Sequence, residues 1–181
     1  TNGPRRPDDN TGIKGWFVKY FQKRAGGGVP SANRITLLRD TNADGVADQR
    51  FTFLDGLNSP YGMTLVGPDL VVANTDGLVS YAYREGDTVI TAAASQIVAL
   101  PAGTRNHHWT KNVIASPDGS TLFVAVGSNS NAAENGMAVE AERAAVWAVD
   151  RLSGAHRIFA SGLRNPWGWP GSRAQARYGL P

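Results

Sequence analysis

The sequence predicts an all-β chain, an incomplete β-propeller of about three blades, with one N-terminal amphipathic helix. Three observations carry that expectation. Glycine (21) and proline (10) are frequent for 181 residues, so the chain turns often, as chains of short strands do. A repeat gives the second. Phe53-Leu54-Asp55-Gly56-Leu57-Asn58-Ser59-Pro60-Tyr61-Gly62 returns as Phe159-Ala160-Ser161-Gly162-Leu163-Arg164-Asn165-Pro166-Trp167-Gly168, offset by 106 residues. Between them, Met63–Val66 with Leu70–Ala73 is echoed by Val113–Ser116 with Leu122–Ala125 at half that spacing, 50 to 52 residues. A unit of about 50 residues made of short strands and tight turns is a propeller blade in sequence form. The third observation is length: 181 residues hold roughly three such units, and rings close with about four to eight blades. Blade faces and strand edges are therefore expected to stay open.

The bulk composition narrows the function classes. Hydrophobic residues make up 41% and charged residues 18%, enough to bury a core and too apolar for a disordered tail. A formal charge of +3, with no basic block longer than two residues, argues against a nucleic-acid partner. There is no cysteine, which excludes disulfides and thiolate metal sites. No apolar run is long enough to span a bilayer, so no transmembrane segment is expected, and no signal segment is visible at Thr1.

Taken in order, residues 1–12 read as a polar loop. A helix follows over Ile13–Ala25, because Ile13, Trp16, Phe17, Tyr20 and Phe21 recur at i, i+3, i+4, i+7 and i+8. Gly26-Gly27-Gly28 ends it, and Lys14, Lys19, Lys23 and Arg24 make its remaining surface basic. The helix is expected to lie against its own β-domain, with docking on an anionic membrane surface as the alternative. Strands are predicted at Arg34–Arg39, Arg50–Leu54, Met63–Val66, Leu70–Ala73, Leu78–Tyr83, Gln96–Leu100, Val113–Ser116, Leu122–Ala125, Ala144–Asp150 and Arg157–Ala160. Glu134, Glu140, Glu142 and Arg143 read as a short solvated helix, and His156 as a turn residue.

The loop between the first two strands has a metal-binding pattern. Asp40, Asn42, Asp44 and Asp48 place oxygen side chains at positions one, three, five and nine, with Gly45 at six for the sharp turn and Val46 offering a carbonyl. Position twelve is Phe51, where a bidentate Glu completes such sites, and Asx-rich hairpin loops also occur without metal. The expected role is a structural calcium loop rather than a catalytic one.

Acid–base chemistry is expected near Asn106-His107-His108-Trp109-Thr110-Lys111-Asn112, which holds two of the three histidines. On an extended segment adjacent histidines point to opposite faces, so at most one of the two faces a given cavity and a zinc pair is disfavoured. The alternative is a solvated turn with one histidine packed under a strand. Propeller sites gather on loops around the central channel, and two more segments are candidates for such loops: Gly127-Ser128-Asn129-Ser130-Asn131 and Gly162-Leu163-Arg164-Asn165-Pro166. The repeat singles out the latter, where Arg164 and Asn165 replace Asn58 and Ser59. An Arg fork and an Asn amide suit carboxylate or quinone oxygens, though an Arg that bonds loop carbonyls has the same signature.

These segments, with Gly12-Ile13-Lys14-Gly15-Trp16 and Val29-Pro30-Ser31-Ala32-Asn33-Arg34-Ile35, closely resemble the glucose/sorbosone dehydrogenase family, sorbosone dehydrogenase-like members in particular. The resemblance runs from about residue 8 to Gly168. It implies a six-bladed propeller using pyrroloquinoline quinone (PQQ) with Ca²⁺ to oxidise a small sugar or aldehyde and pass electrons to an acceptor, periplasmic or secreted. It also implies a histidine base at His108, with His107 second, and cofactor binding by Arg164 and Asn165. The family's later blades, with their quinone and calcium ligands, are the missing partners of this chain. A non-catalytic propeller-type binding module and an inert truncated product remain the other readings. Residues 1–168 are taken as the partial propeller domain. The stretch 169–181 has no strand alternation where the repeat requires a strand, and is expected to be an atypical tail read in a shifted frame.

Overall fold

The computed structural model describes residues 3–4, 12–25 and 29–166, so the 169–181 tail lies outside the described residues. Among the described residues the chain is mostly sheet with one α-helix, and it forms an incomplete propeller. Helix α1 spans Gly12–Arg24. Ten strands follow: β1 (Ile35–Arg39), β2 (Gln49–Leu54), β3 (Gly62–Val66), β4 (Asp69–Ala73), β5 (Gly77–Ala82), β6 (Ser95–Ala99), β7 (Val113–Ala115), β8 (Thr121–Val126), β9 (Ala145–Asp150) and β10 (His156–Ala160). All ten sequence-derived strands are present, each within a residue or two of its expected ends.

The strands form two four-stranded antiparallel meanders, β3-β4-β5-β6 and β7-β8-β9-β10, and a two-stranded sheet, β1-β2. The repeat explains the odd pair. Phe53 of β2 and Phe159 of β10 occupy equivalent places, and β10 is the edge strand of its blade, so β1-β2 is the outer half of a preceding blade. The inner strands of the two whole blades lie side by side, with the Gly62 N–H donating to the Lys111 carbonyl at 2.9 Å.

Alternation along the central strands builds two separate cores. Val71 and Ala73 face the second blade and join Leu78, Leu122, Val124, Val126, Trp147 and Val149. Leu70 and Val72, pointing the other way, join Phe53, Leu54, Leu57, Tyr81 and Ile90 under the two-stranded sheet. Strand β4 is thus buried on both faces, which is why it reads Leu-Val-Val-Ala without polar alternation. On the far face of the second blade Phe123 meets Phe159 edge-on at 5.0 Å, Phe159 is exposed, and among the described residues no further sheet covers it.

Helix α1 corrects one expectation. It forms where the 3.6-residue periodicity puts it, but its apolar stripe does not lie against the β-domain; Ile13, Trp16, Phe17, Tyr20 and Phe21 are all exposed. The periodicity specifies a helix face, not what covers it.

Candidate functional site

In an antiparallel meander, alternate turns gather at the same end of the blade. The β6–β7 loop, the β8–β9 loop and the segment after β10 therefore meet, and they carry the three sequence motifs. The His loop is tied down from both sides. Asn106 donates from Nδ2 to Thr75 Oγ1 at 3.0 Å, and Thr75 donates to the Trp109 carbonyl at 3.3 Å. Across the cleft, Arg143 donates to Asn106 Oδ1 at 2.9 Å and to the Ala102 carbonyl, and Asn129 Nδ2 donates to the Arg105 carbonyl.

His107 and His108 sit in a turn rather than on an extended segment, so their rings lie 5.0 Å apart edge to face instead of on opposite faces. Their exposures still differ: His107 is exposed and His108 is buried. His108 Nδ1 lies 2.8 Å from Ser128 Oγ and 3.1 Å from the Ser128 carbonyl. The Ser128 hydroxyl hydrogen is committed to the Ser130 carbonyl at 2.7 Å, and a carbonyl only accepts. Both contacts therefore require a proton on Nδ1, which leaves Nε2 as the basic nitrogen of the neutral ring.

The 127–131 loop is shaped for this contact. A Cβ on Gly127 would overlap the Cβ of His108 and crowd Asn165 Oδ1, so only glycine lets the three meet. Glu140, at the end of a 3-10 turn over Met137–Glu140, accepts from the Asn129 and Ser130 N–H groups at 2.7 and 3.1 Å and from the Ser130 hydroxyl at 3.0 Å. Glu140 and Arg143 therefore do not belong to a solvated helix, as their charge suggests; one carboxylate organises a loop and one guanidinium, buried, clamps another. His156 is likewise no turn residue. It opens β10, stacks on Trp147 at 3.9 Å and meets Glu142 at 3.4 Å.

Arg164 and Asn165 reach the same end. The Ser128 N–H donates to the Arg164 carbonyl at 2.9 Å, while the exposed Arg164 guanidinium donates to the Asn131 carbonyl at 3.2 Å and to Asn131 Oδ1. Asn165 Oδ1 is buried without a hydrogen-bond partner. Such an orphaned acceptor leaves a polar group for a ligand to satisfy.

Lys111 is a site residue that motif reading missed. It is fully buried, its Nζ has no hydrogen-bond partner, and Arg143 lies close by. Burial first, and the Arg143 charge second, push its amine down to about 7. Burial also lowers Arg143, against the opposing carboxylate of Glu140. The signal for Lys111 was in the alternation, since it stands two residues before core Val113 and so on the buried face.

The Asp40–Asp48 loop lies apart from this end. Asp40 accepts from the Gly45 N–H at 2.7 Å and the Asp44 N–H at 3.3 Å, Asn42 accepts from Asp44, Asp44 from Val46, and Asp48 from the Thr41 hydroxyl at 2.5 Å. Among the described residues, no three acidic or histidine side chains gather where one metal ion would be held.

Comparison with known proteins fits this architecture. The fold is similar to the holo pyranose dehydrogenase PQQ domain of Coprinopsis cinerea, with TM-score 0.61 and 19% identity over 76% of this chain and 36% of that one. Two Trichoderma reesei structures of carbohydrate-active enzyme family AA12 are also similar. An iodide structure gives 0.60 at 18% identity, covering 75% of this chain and 36% of that one, and a calcium structure gives 0.59 at 17%, covering 76% and 38%. The chain thus spans little more than a third of the structures it matches. At these identities the likeness is one of fold. No curated protein matches the chain. A family profile matches residues 16–180, nearly the whole sequence, and the chain accordingly belongs to the family described as a domain of unknown function, DUF7133.

Proposed function

We propose that this chain is part of a PQQ-dependent dehydrogenase that oxidises a small sugar or aldehyde of the sorbosone or glucose type. The observation that carries the reading is the Ser128-fixed tautomer of His108, which places the basic lone pair on Nε2. A base of that kind removes a hydroxyl proton, and the quinone, when bound, accepts the hydride. His108 takes the proton from the substrate hydroxyl, and His107, exposed beside it, is the second candidate. Arg164 and Asn165 would hold the cofactor: the guanidinium offers donors to anionic oxygens, and the amide of Asn165 has an unsatisfied buried acceptor. The fit is partial, because the cofactor's calcium finds no ligand cluster among the described residues and belongs to later blades. The Asp40–Asp48 loop, with Asn42, Asp44 and Val46, is read as a separate structural calcium loop. The likeness to a PQQ domain supports the cofactor, and export to the periplasm or outside the cell accords with this reading.

The test is titration of the chain, extended by the missing blades, with PQQ and Ca²⁺, followed by dye reduction with a panel of sugars and aldehydes. Saturable quinone binding with substrate-dependent reduction is expected. Binding without reduction would make it a binding module, and neither would end the proposal.

A further inference from the structure

Helix α1 turns its apolar stripe to solvent: Ile13 is 81% exposed, Trp16 61%, Phe17 51%, Tyr20 49% and Phe21 63%. At about 100° per residue these five fall in one arc of about 140°. Gly15, buried, and Val18, half-buried, lie outside that arc. The rings pack on one another, Trp16 stacked on Tyr20 at 5.9 Å, with Phe17 edge-on to Trp16 at 5.0 Å and Phe21 edge-on to Tyr20 at 5.6 Å. The helix sequence, GIKGWFVKYFQKR, holds four basic residues and no acidic one. Lys19 and Lys23 border one flank of the arc, and Arg24 closes its C-terminal end.

Blades stack sheet against sheet, and the face left open for the next blade is that of Ile114, Phe123 and Phe159 on the second blade. Helix α1 precedes β1 and stands outside the series of sheets. Its occupant must be apolar at the centre and negatively charged at the rim.

We propose that α1 is an interfacial helix that docks this domain on an anionic lipid surface. Aromatic rings partition to the boundary between headgroups and acyl chains, while flanking Lys and Arg stems stay along the apolar surface and carry their charges to anionic headgroups. Thirteen residues make a helix of about 20 Å, too short to span a bilayer core of about 30 Å, so α1 lies on the surface. Among the described residues no helix is long and apolar enough to cross a membrane.

The test is co-sedimentation of the whole chain with vesicles of phosphatidylcholine alone and of phosphatidylcholine mixed with phosphatidylglycerol. Binding to the mixed vesicles is expected to be at least about tenfold tighter and to weaken with salt. Phe17→Glu with Phe21→Glu abolishes it, and Lys19→Glu with Lys23→Glu weakens it about tenfold. These side chains are exposed, so an unchanged circular-dichroism melt separates lost docking from lost folding. Equal binding to both vesicles, binding to neither, or wild-type binding by the aromatic variant overturns the proposal. So does self-association that Phe21→Glu dissolves while vesicles stay unbound, because the stripe then belongs to a second copy of the chain.

Discussion

Ser128 Oγ and His108 Nδ1 lie 2.8 Å apart, and this contact decides which ring nitrogen is basic. Ser128→Ala removes the hydroxyl and keeps the residue-128 carbonyl at 3.1 Å from Nδ1. The ring then loses its second restraint, and the Nε2–H tautomer gains population. Nitrogen-15 spectra of the imidazole are expected to shift toward a tautomer mixture, with turnover down about tenfold and KM little changed. A spectrum identical to wild type would show that Ser128 does not set the tautomer.

If His108 is the base, His108→Ala in the extended protein lowers turnover about a hundredfold or more, the scale for losing a general base. His107→Ala does much less, since that ring is exposed and it is His108 that Ser128 holds. Equal losses would refute the assignment.

Most of the fold was legible in the sequence because strand alternation and the repeat report the same thing at two scales. Each strand of β3–β6 has its counterpart in β7–β10, and with β10 at the edge of its blade the offset of 106 residues makes β2 an outer strand too. The site was legible as three loops but not as contacts. Ser128 was visible as part of a polar loop, yet its bond to His108 depends on chain segments 20 residues apart. Glu140 had no local signal at all, since a carboxylate that caps backbone N–H groups from a 3-10 turn looks solvated in sequence. The exposure of α1 was illegible for another reason. Periodicity records that one face is apolar and is silent about its neighbour.

Lys111 carries a pH prediction. Its folded pKa, about 7, lies below the ordinary lysine value, so between about pH 7 and 10.4 the unfolded chain binds a proton that the folded chain does not. Stability is therefore higher above the unfolded pKa and is lost as pH falls through that window to about 7. Lys111→Met removes the titration and replaces the buried amine with an uncharged side chain of similar length. Urea unfolding is expected to show a gain on the order of 3 kcal/mol at pH 7 that shrinks toward zero near pH 10. An equal gain at both pH values would assign the effect to packing rather than charge.

Arg151 clamps the two whole blades together. Its Nη1 donates to Asp69 Oδ2 of the first blade at 2.9 Å, and its Nε donates to the Gly119 carbonyl in the hairpin of the second at 2.9 Å. Both side chains are partly exposed, so the ion pair itself is worth little and the bond to the carbonyl adds to it. Arg151→Ala should cost about 1 kcal/mol in chemical unfolding, with little dependence on salt for the carbonyl part. A loss that high salt removes entirely would make the contact purely ionic.

The open face of the second blade sets how the chain behaves alone. Ile114 and Phe123 line an apolar depression on that face, and the exposed Phe159 continues it at the edge strand. Among the described residues strand β10 also ends the sheet, so its outward N–H and C=O groups have no sheet partner there. In a closed ring the next blade would cover the apolar side chains; in water they favour association with any similar surface. Residues 1–181 are therefore expected to self-associate in sedimentation as concentration rises. Phe159→Glu puts a charge at the centre of the face and should shift the chain toward monomer. The same change leaves α1 untouched, so vesicle binding should persist in this variant. A wild-type chain that stays monomeric at high concentration, with a sharp cooperative melt, would mean that this face needs no further blade.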